Sequence, residues 1–112
     1  MKRIEAIIKP FKIEEVREAV VDLGIHGLTV TEVQGYGSQK SSTEIYHGGE
    51  PFAEPMGRVK VDLVVSEDQV QSTVRAILQA ARTGRLGDGK IFVSHVEQVV
   101  RIRTGERDQA AL

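Results

Sequence analysis

The stretch Val59-Lys60-Val61-Asp62-Leu63-Val64-Val65-Ser66-Glu67-Asp68-Gln69 decides the fold. Val59, Val61, Leu63 and Val65 recur with period two, the pattern of a strand with one buried face. Ser66-Glu67-Asp68-Gln69 fits a capping box, in which a serine and a glutamine satisfy amide groups at a helix start. Val70, Val74, Ile77, Leu78 and Ala81 then follow at helical spacing and predict a core stripe. Thr83-Gly84 ends this helix.

The same unit appears on the N-terminal side. Lys2 to Lys9 predicts a strand, with Ile4, Ala6 and Ile8 on one face and Pro10 ending it. Ile13, Val16, Val20 and Leu23 predict a helix, with Glu14 and Glu15 in the first turn, where the helix dipole favours acids. Gly24 is placed for a C-cap. Leu28 to Val33, rich in threonine and valine, predicts a second strand. Ile91 to Val93 begins a fourth, and Gln98 to Arg103 either continues it or forms a short fifth. The order βαββαβ predicts an α+β, ferredoxin-like sandwich, an antiparallel sheet with both helices on one face. Between strands two and three lies Gln34 to Gly57, rich in glycine, proline and serine and with little periodicity, a functional loop or else a long hairpin tip. So long a loop in so small a chain points to function.

The strongest chemical signal is Thr83-Gly84-Arg85-Leu86-Gly87-Asp88-Gly89-Lys90. Glycines let backbone N–H groups turn toward an anion, and a lysine adds a mobile cation. Three glycines exceed what a plain helix-to-strand turn needs. Arg101 and Arg103 lie two apart, so on an extended strand they share a face. Together these elements suggest a phosphate-binding surface, most simply for a nucleotide. Gly35-Tyr36-Gly37-Ser38-Gln39-Lys40-Ser41 is not a P-loop, because Gln39 stands where glycine must precede the lysine. Nor is it a dinucleotide fingerprint, because Lys40 replaces the last glycine.

With 112 residues, 40% apolar and 28% charged, the chain is sized for one domain with one modest core. A net charge of −1 argues against a general polyanion-binding surface, so an anion site must be local. The absence of cysteine excludes disulfides and thiolate metal sites. His26, His47 and His95 lack metal-ligand spacing. No Ser-His-acid arrangement points to nucleophilic catalysis, and Glu44, Glu50 and Glu54 fit a solvated loop face. Three Phe, two Tyr and no Trp leave RNA stacking without a platform. Without a membrane-length apolar run or a signal-peptide core, a cytoplasmic protein is expected.

Over essentially its whole length the chain resembles the PII signal-transduction proteins, the trimeric nitrogen regulators. The matching runs are Ile7-Ile8-Lys9-Pro10-Phe11-Lys12, Gly27-Leu28-Thr29-Val30-Thr31-Glu32-Val33, Thr83 to Val93, and Arg101-Ile102-Arg103-Thr104-Gly105-Glu106. The resemblance implies one domain over 1–112, a homotrimer, and ATP or ADP in clefts between subunits. Gly35, Gly37, Ser38, Gly87, Asp88, Gly89 and Lys90 would face the phosphates. Arg101 and Arg103 would reach them from the neighbouring subunit, and Gly27, Thr29, Asp62 and Val64 would surround base and ribose. Mg²⁺ would be held by the ATP phosphates and Gln39, with 2-oxoglutarate against Gln39, Lys40, Arg58 and Gly87. The loop at about 37–55 would be the family's T-loop, which contacts partner proteins such as an ammonium channel, a metabolic enzyme or a regulator. The resemblance implies a signalling regulator, not an enzyme.

The chain also departs from the family pattern. Pro51 stands at the tyrosine that is uridylylated or adenylylated, and a proline has no hydroxyl to modify. Gly49 stands at the phosphorylated serine of cyanobacterial members, and the tyrosine's role does not transfer to Tyr46. Arg58 replaces a lysine, His47 the arginine of channel-plugging members, Ser38 a common arginine, and Asp62 a glutamate. A divergent adenylate sensor with another effector and partner is therefore an open alternative.

Overall fold

The structure, a computed structural model, describes residues 1–36, 44–47, 50–53 and 56–112, with 44–47, 50–53 and 56 described by backbone alone. The elements in chain order are β1 (Lys2–Ile8), α1 (Ile13–Asp22), β2 (Thr29–Gly35), β3 (Glu44–His47), β4 (Glu50–Ala53), β5 (Met56–Val65), α2 (Val70–Ala81) and β6 (Lys90–His95). Four strands form one sheet in the order β2-β5-β1-β6, with every neighbouring pair antiparallel. The expected ferredoxin-like α+β sandwich is what the chain adopts.

Alternation produces the core directly. Ile4, Ala6 and Ile8 of β1 and Val59, Val61, Leu63 and Val65 of β5 are buried. Their register, Ile4 opposite Leu63 and Ala6 opposite Val61, puts both sets on one face. Val16 and Val20 of α1 and Val70, Ile77 and Ala81 of α2 cover that face. Burial of such a side chain contributes about 2 kcal/mol relative to exposure.

Helix α1 ends as the glycine implied. Gly24, at φ +82°, donates to the Val21 carbonyl at 2.9 Å, and Ile25 donates to the Val20 carbonyl at 3.4 Å. This is a Schellman motif, and the buried Ile25 supplies its hydrophobic contact.

The start of α2 differs from the capping box. Residues Glu67–Gln69 form a 3-10 turn, and Ser66 makes no side-chain bond to a backbone amide. Its hydroxyl donates instead to the Asp68 carboxylate, with Gln69 Oε1 3.0 Å away. The tighter turn carries Gln69 away from the reciprocal geometry. The core stripe shifts as well: Leu78 is exposed and Thr73 is fully buried. Thr73 can sit there because its hydroxyl donates to the Gln69 carbonyl at 2.7 Å, satisfying its polar group within the helix.

Two further expectations are corrected. The stretch Gln34 to Gly57, with little periodicity in its sequence, contains a β3–β4 hairpin, with Ile45 opposite Phe52 and Tyr46 opposite Pro51. The segment Gln98 to Arg103 is not a sheet strand. A lone bridge joins Val100 to Arg107, and the chain turns at residues 102–104, closed by Gly105 N–H on the Arg101 carbonyl at 2.7 Å. Among the described residues, no helix is long and apolar enough to cross a membrane.

Candidate functional site

The glycine loop joins α2 to β6. Gly84, Gly87 and Gly89 have φ of +82°, +87° and +98°. At Gly89 a Cβ would meet the Ile7 carbonyl oxygen at 1.7 Å. Positive φ thus favours glycine at all three positions and the Ile7 carbonyl excludes a side chain at Gly89, so their number is not a separate sign of an anion site. What favours an anion is what the loop leaves open. Among the described residues the N–H groups of Gly87 and Gly89 have no hydrogen-bond partner. Lys90 follows immediately, exposed, paired in register with Ile7.

Asp88 sits differently from its expected place against phosphate. Its Oδ2 accepts the N–H groups of Thr83 and Gly84, each at 2.9 Å. Its Oδ1 accepts the Thr83 hydroxyl and lies 3.2 Å from Lys9 Nζ. Burial pushes this carboxyl up, but it is outweighed by hydrogen bonds from the Thr83 hydroxyl and amide, the Gly84 amide and Lys9, which together hold it well below the ordinary range. A depressed folded pKa stabilises the fold fully above the unfolded value, near 4, and the contribution drains as pH falls toward the folded value. The stability difference between the wild type and Asp88→Asn, followed by urea denaturation, is thus expected to be constant above pH 5 and to shrink steadily below about pH 4.

The arginines lie elsewhere. Arg101 lines a cavity of about 570 Å³ with Gly24, His26, Gly27, Val64 and Gln69. Its guanidinium is 3.5 Å from Glu106 Oε1 and donates to the Ala111 and Leu112 carbonyls at 3.4 and 3.3 Å. Arg103 is exposed in the turn at 102–104, without a partner among the described residues. The expected shared strand face is absent, because the chain turns at residues 102–104 and is not extended there.

Gly27, Thr29, Asp62 and Val64 come together around an adjoining cavity of about 330 Å³, with Arg3 in its wall. Asp62 is opposite both Glu5 and Thr29 in register. Its Oδ1 accepts Arg3 Nε at 3.1 Å and Nη2 at 2.7 Å. Arg3 and Lys60 also flank Glu5, at 3.6 and 3.5 Å, so the helix-free face carries a line of alternating charge.

The remaining residues cluster at the glycine-loop end of the sheet. Gly35 closes β2 opposite Met56, and Arg58 lies opposite Val33. Arg58 is only 8% exposed and donates to the Gly57 carbonyl at 2.9 Å. It borders a cavity of about 480 Å³ with Pro10, Glu32, Val33 and Gln34. Gly37, Ser38, Gln39 and Lys40 lie outside the described residues, as does Gly49.

The chain thus divides the expected ligand residues into two groups. Gly27, Thr29, Asp62, Val64 and Arg101 border the two adjoining cavities. Gly35, Arg58, Gly87, Gly89 and Lys90 sit toward the other end of the strands. In register, Val64 pairs with Arg3 and Lys90 with Ile7, a separation of four residues along β1, or about 13 Å. Lys9 and Thr83 were not among the expected site residues. The only sequence signal for them was a lysine closing a strand and a threonine opening the glycine loop.

The family model described as "Nitrogen regulatory protein P-II" matches residues 1–106. A protein called Nitrogen regulatory protein P-II from Pasteurella multocida is 54% identical over 112 residues, covering all of both chains. Nitrogen regulatory protein P-II 1 of Escherichia coli K12 is also 54% identical over 112 residues, again with full coverage. Among solved structures, Arabidopsis thaliana PII bound to citrate superposes with a TM-score of 0.82 at 40% identity, covering 99% of this chain and 91% of that one.

Proposed function

Because the chain belongs to the nitrogen regulatory protein P-II family, we propose that it is a non-enzymatic signalling domain over residues 1–112, binding ATP or ADP between subunits of a homotrimer. The division of its ligand residues carries this reading. A triphosphate needs several donors and cations at once to offset its desolvation. The glycine loop offers Lys90 and two amides that have no partner among the described residues, and Val64 of the Gly27–Asp62–Val64 cavity, which adjoins the cavity lined by Arg101, lies about 13 Å from Lys90 in register along β1. A second protomer set against the first joins one group to the other. Apolar side chains exposed on both edge strands, Val30 on β2 and Phe92 and Val93 on β6, support such packing.

Gln39 would add a neutral oxygen to a Mg²⁺ already among phosphates, and 2-oxoglutarate would bind beside it. The loop at 37–55 would report the ligand state to a partner protein in the cytoplasm, without uridylylation, since position 51 is proline.

A second reading is favoured by Arg58. This buried guanidinium replaces the lysine expected at the distal carboxylate and is engaged with the Gly57 carbonyl. A sensor of adenylates alone, with another effector and partner, follows from that engagement. Calorimetry separates the two. The first reading expects 2-oxoglutarate to bind only when ATP and Mg²⁺ are both present, and Gln39→Ala to abolish that binding while sparing ATP. Tight ATP binding with no 2-oxoglutarate heat establishes the second. No nucleotide binding at all overturns both.

A further inference from the structure

Asp88 is a puzzle if the glycine loop receives a polyphosphate, because its negative charge lies in the middle of the loop. The carboxylate accepts both Thr83 and Gly84 amides and the Thr83 hydroxyl, and Lys9 Nζ lies 3.2 Å away. Thr83 Oγ1 in turn accepts Lys9 Nζ at 3.1 Å and the Arg85 amide at 3.2 Å. Lys9 follows β1 directly, 74 residues from Thr83 in sequence. Its side chain is only 14% exposed, so this ion pair is poorly screened. We propose that Lys9, Thr83 and Asp88 form an internal clamp that shapes the glycine loop for phosphate, with Asp88 a positioning residue that does not touch the ligand. The inference rests on the nucleotide reading above.

Two physical consequences follow. First, the clamp uses the amides of Thr83 and Gly84, leaving those of Gly87 and Gly89 for an anion. Secondly, Lys9 neutralises the Asp88 charge, which would otherwise repel phosphate in a partly buried setting. Removing Lys9 alone leaves that charge unpaired. Removing both charges costs less than removing Lys9 alone, which a purely packing role would not produce.

Calorimetric titration of the full-length protein with ATP and with adenosine tests this. Lys9→Met is expected to weaken ATP at least about tenfold while adenosine changes less than about twofold, since only ATP presents phosphates to the loop. Lys9→Met with Asp88→Asn is expected to recover part of the ATP loss. Thr83→Ser should retain ATP affinity and Thr83→Val should lose it, a comparison that holds even if Lys9→Met folds poorly. A ligand-free readout stands apart from nucleotide binding: amide exchange at Thr83 and Gly84 should quicken in Lys9→Met. Equal losses for ATP and adenosine, or unchanged exchange at these two amides, overturns the clamp. Wild-type protein that binds no ATP overturns the nucleotide reading instead, and the exchange result then still judges the clamp.

Discussion

Gly89→Ala is expected to destabilise the protein by on the order of 4 kcal/mol, while Gly84→Ala is expected to cost only about 1 kcal/mol. Both residues have positive φ, so both substitutions strain the backbone. The difference is space. At Gly84 a new Cβ meets nothing within 4 Å, whereas at Gly89 it would lie 1.7 Å from the Ile7 carbonyl oxygen and 2.7 Å from its carbon. Those atoms belong to β1, and Ile7 pairs with both Lys60 and Lys90. They cannot retreat without opening the ladders on both sides of a central strand. Urea denaturation of the two variants measures the contrast directly. Equal costs would show that the β1–β6 junction gives way more easily than its pairing implies.

The second large effect is complementation. Lys90→Ala is expected to abolish ATP binding through the glycine loop, and Arg101→Ala with Arg103→Ala through the other group. If a cleft draws one group from each of two neighbouring subunits, a mixed trimer holds one interface where an intact glycine loop meets intact arginines. Unfolding and refolding the two inactive variants together should then restore ATP binding to a fraction of the clefts, read by calorimetry against each parent alone. Continued inactivity of the mixture, with mixed trimers present by native mass spectrometry, would place both groups in one subunit.

Legibility in the sequence varied with the range of the interaction. The alternation Val59-Val61-Leu63-Val65 was readable because a strand's two faces are set by its own periodicity, and every one of these side chains is buried. The Gly24 cap was readable for the same local reason. Thr73 was not, since its hydroxyl is satisfied by the Gln69 carbonyl four residues back and it then behaves as a core residue. The β3–β4 hairpin is faint in the sequence, where Gln34 to Gly57 shows little periodicity, although Ile45, Tyr46 and Phe52 flank Gly48-Gly49, a pair suited to a two-residue turn. Arg101 and Arg103 were placed on a strand because their spacing suits one, yet Gly105, at φ +74°, lets the chain turn back and bridge Val100 to Arg107.

The amino-acid order alone determined the βαββαβ succession, the apolar faces and the Gly24 helix cap, because those depend on neighbours a few residues apart, whereas the need for glycine at 89 comes from the Ile7 carbonyl of a distant strand. Tertiary structure decided how the charges were allotted. It brought Lys9 to Asp88 from 79 positions away, paired Arg3 with Asp62 across two strands, and set the glycine loop and the Gly27–Asp62–Val64 cavity toward opposite ends of one sheet. Charge partners of this kind are chosen by the path of the backbone through space, which no local pattern encodes.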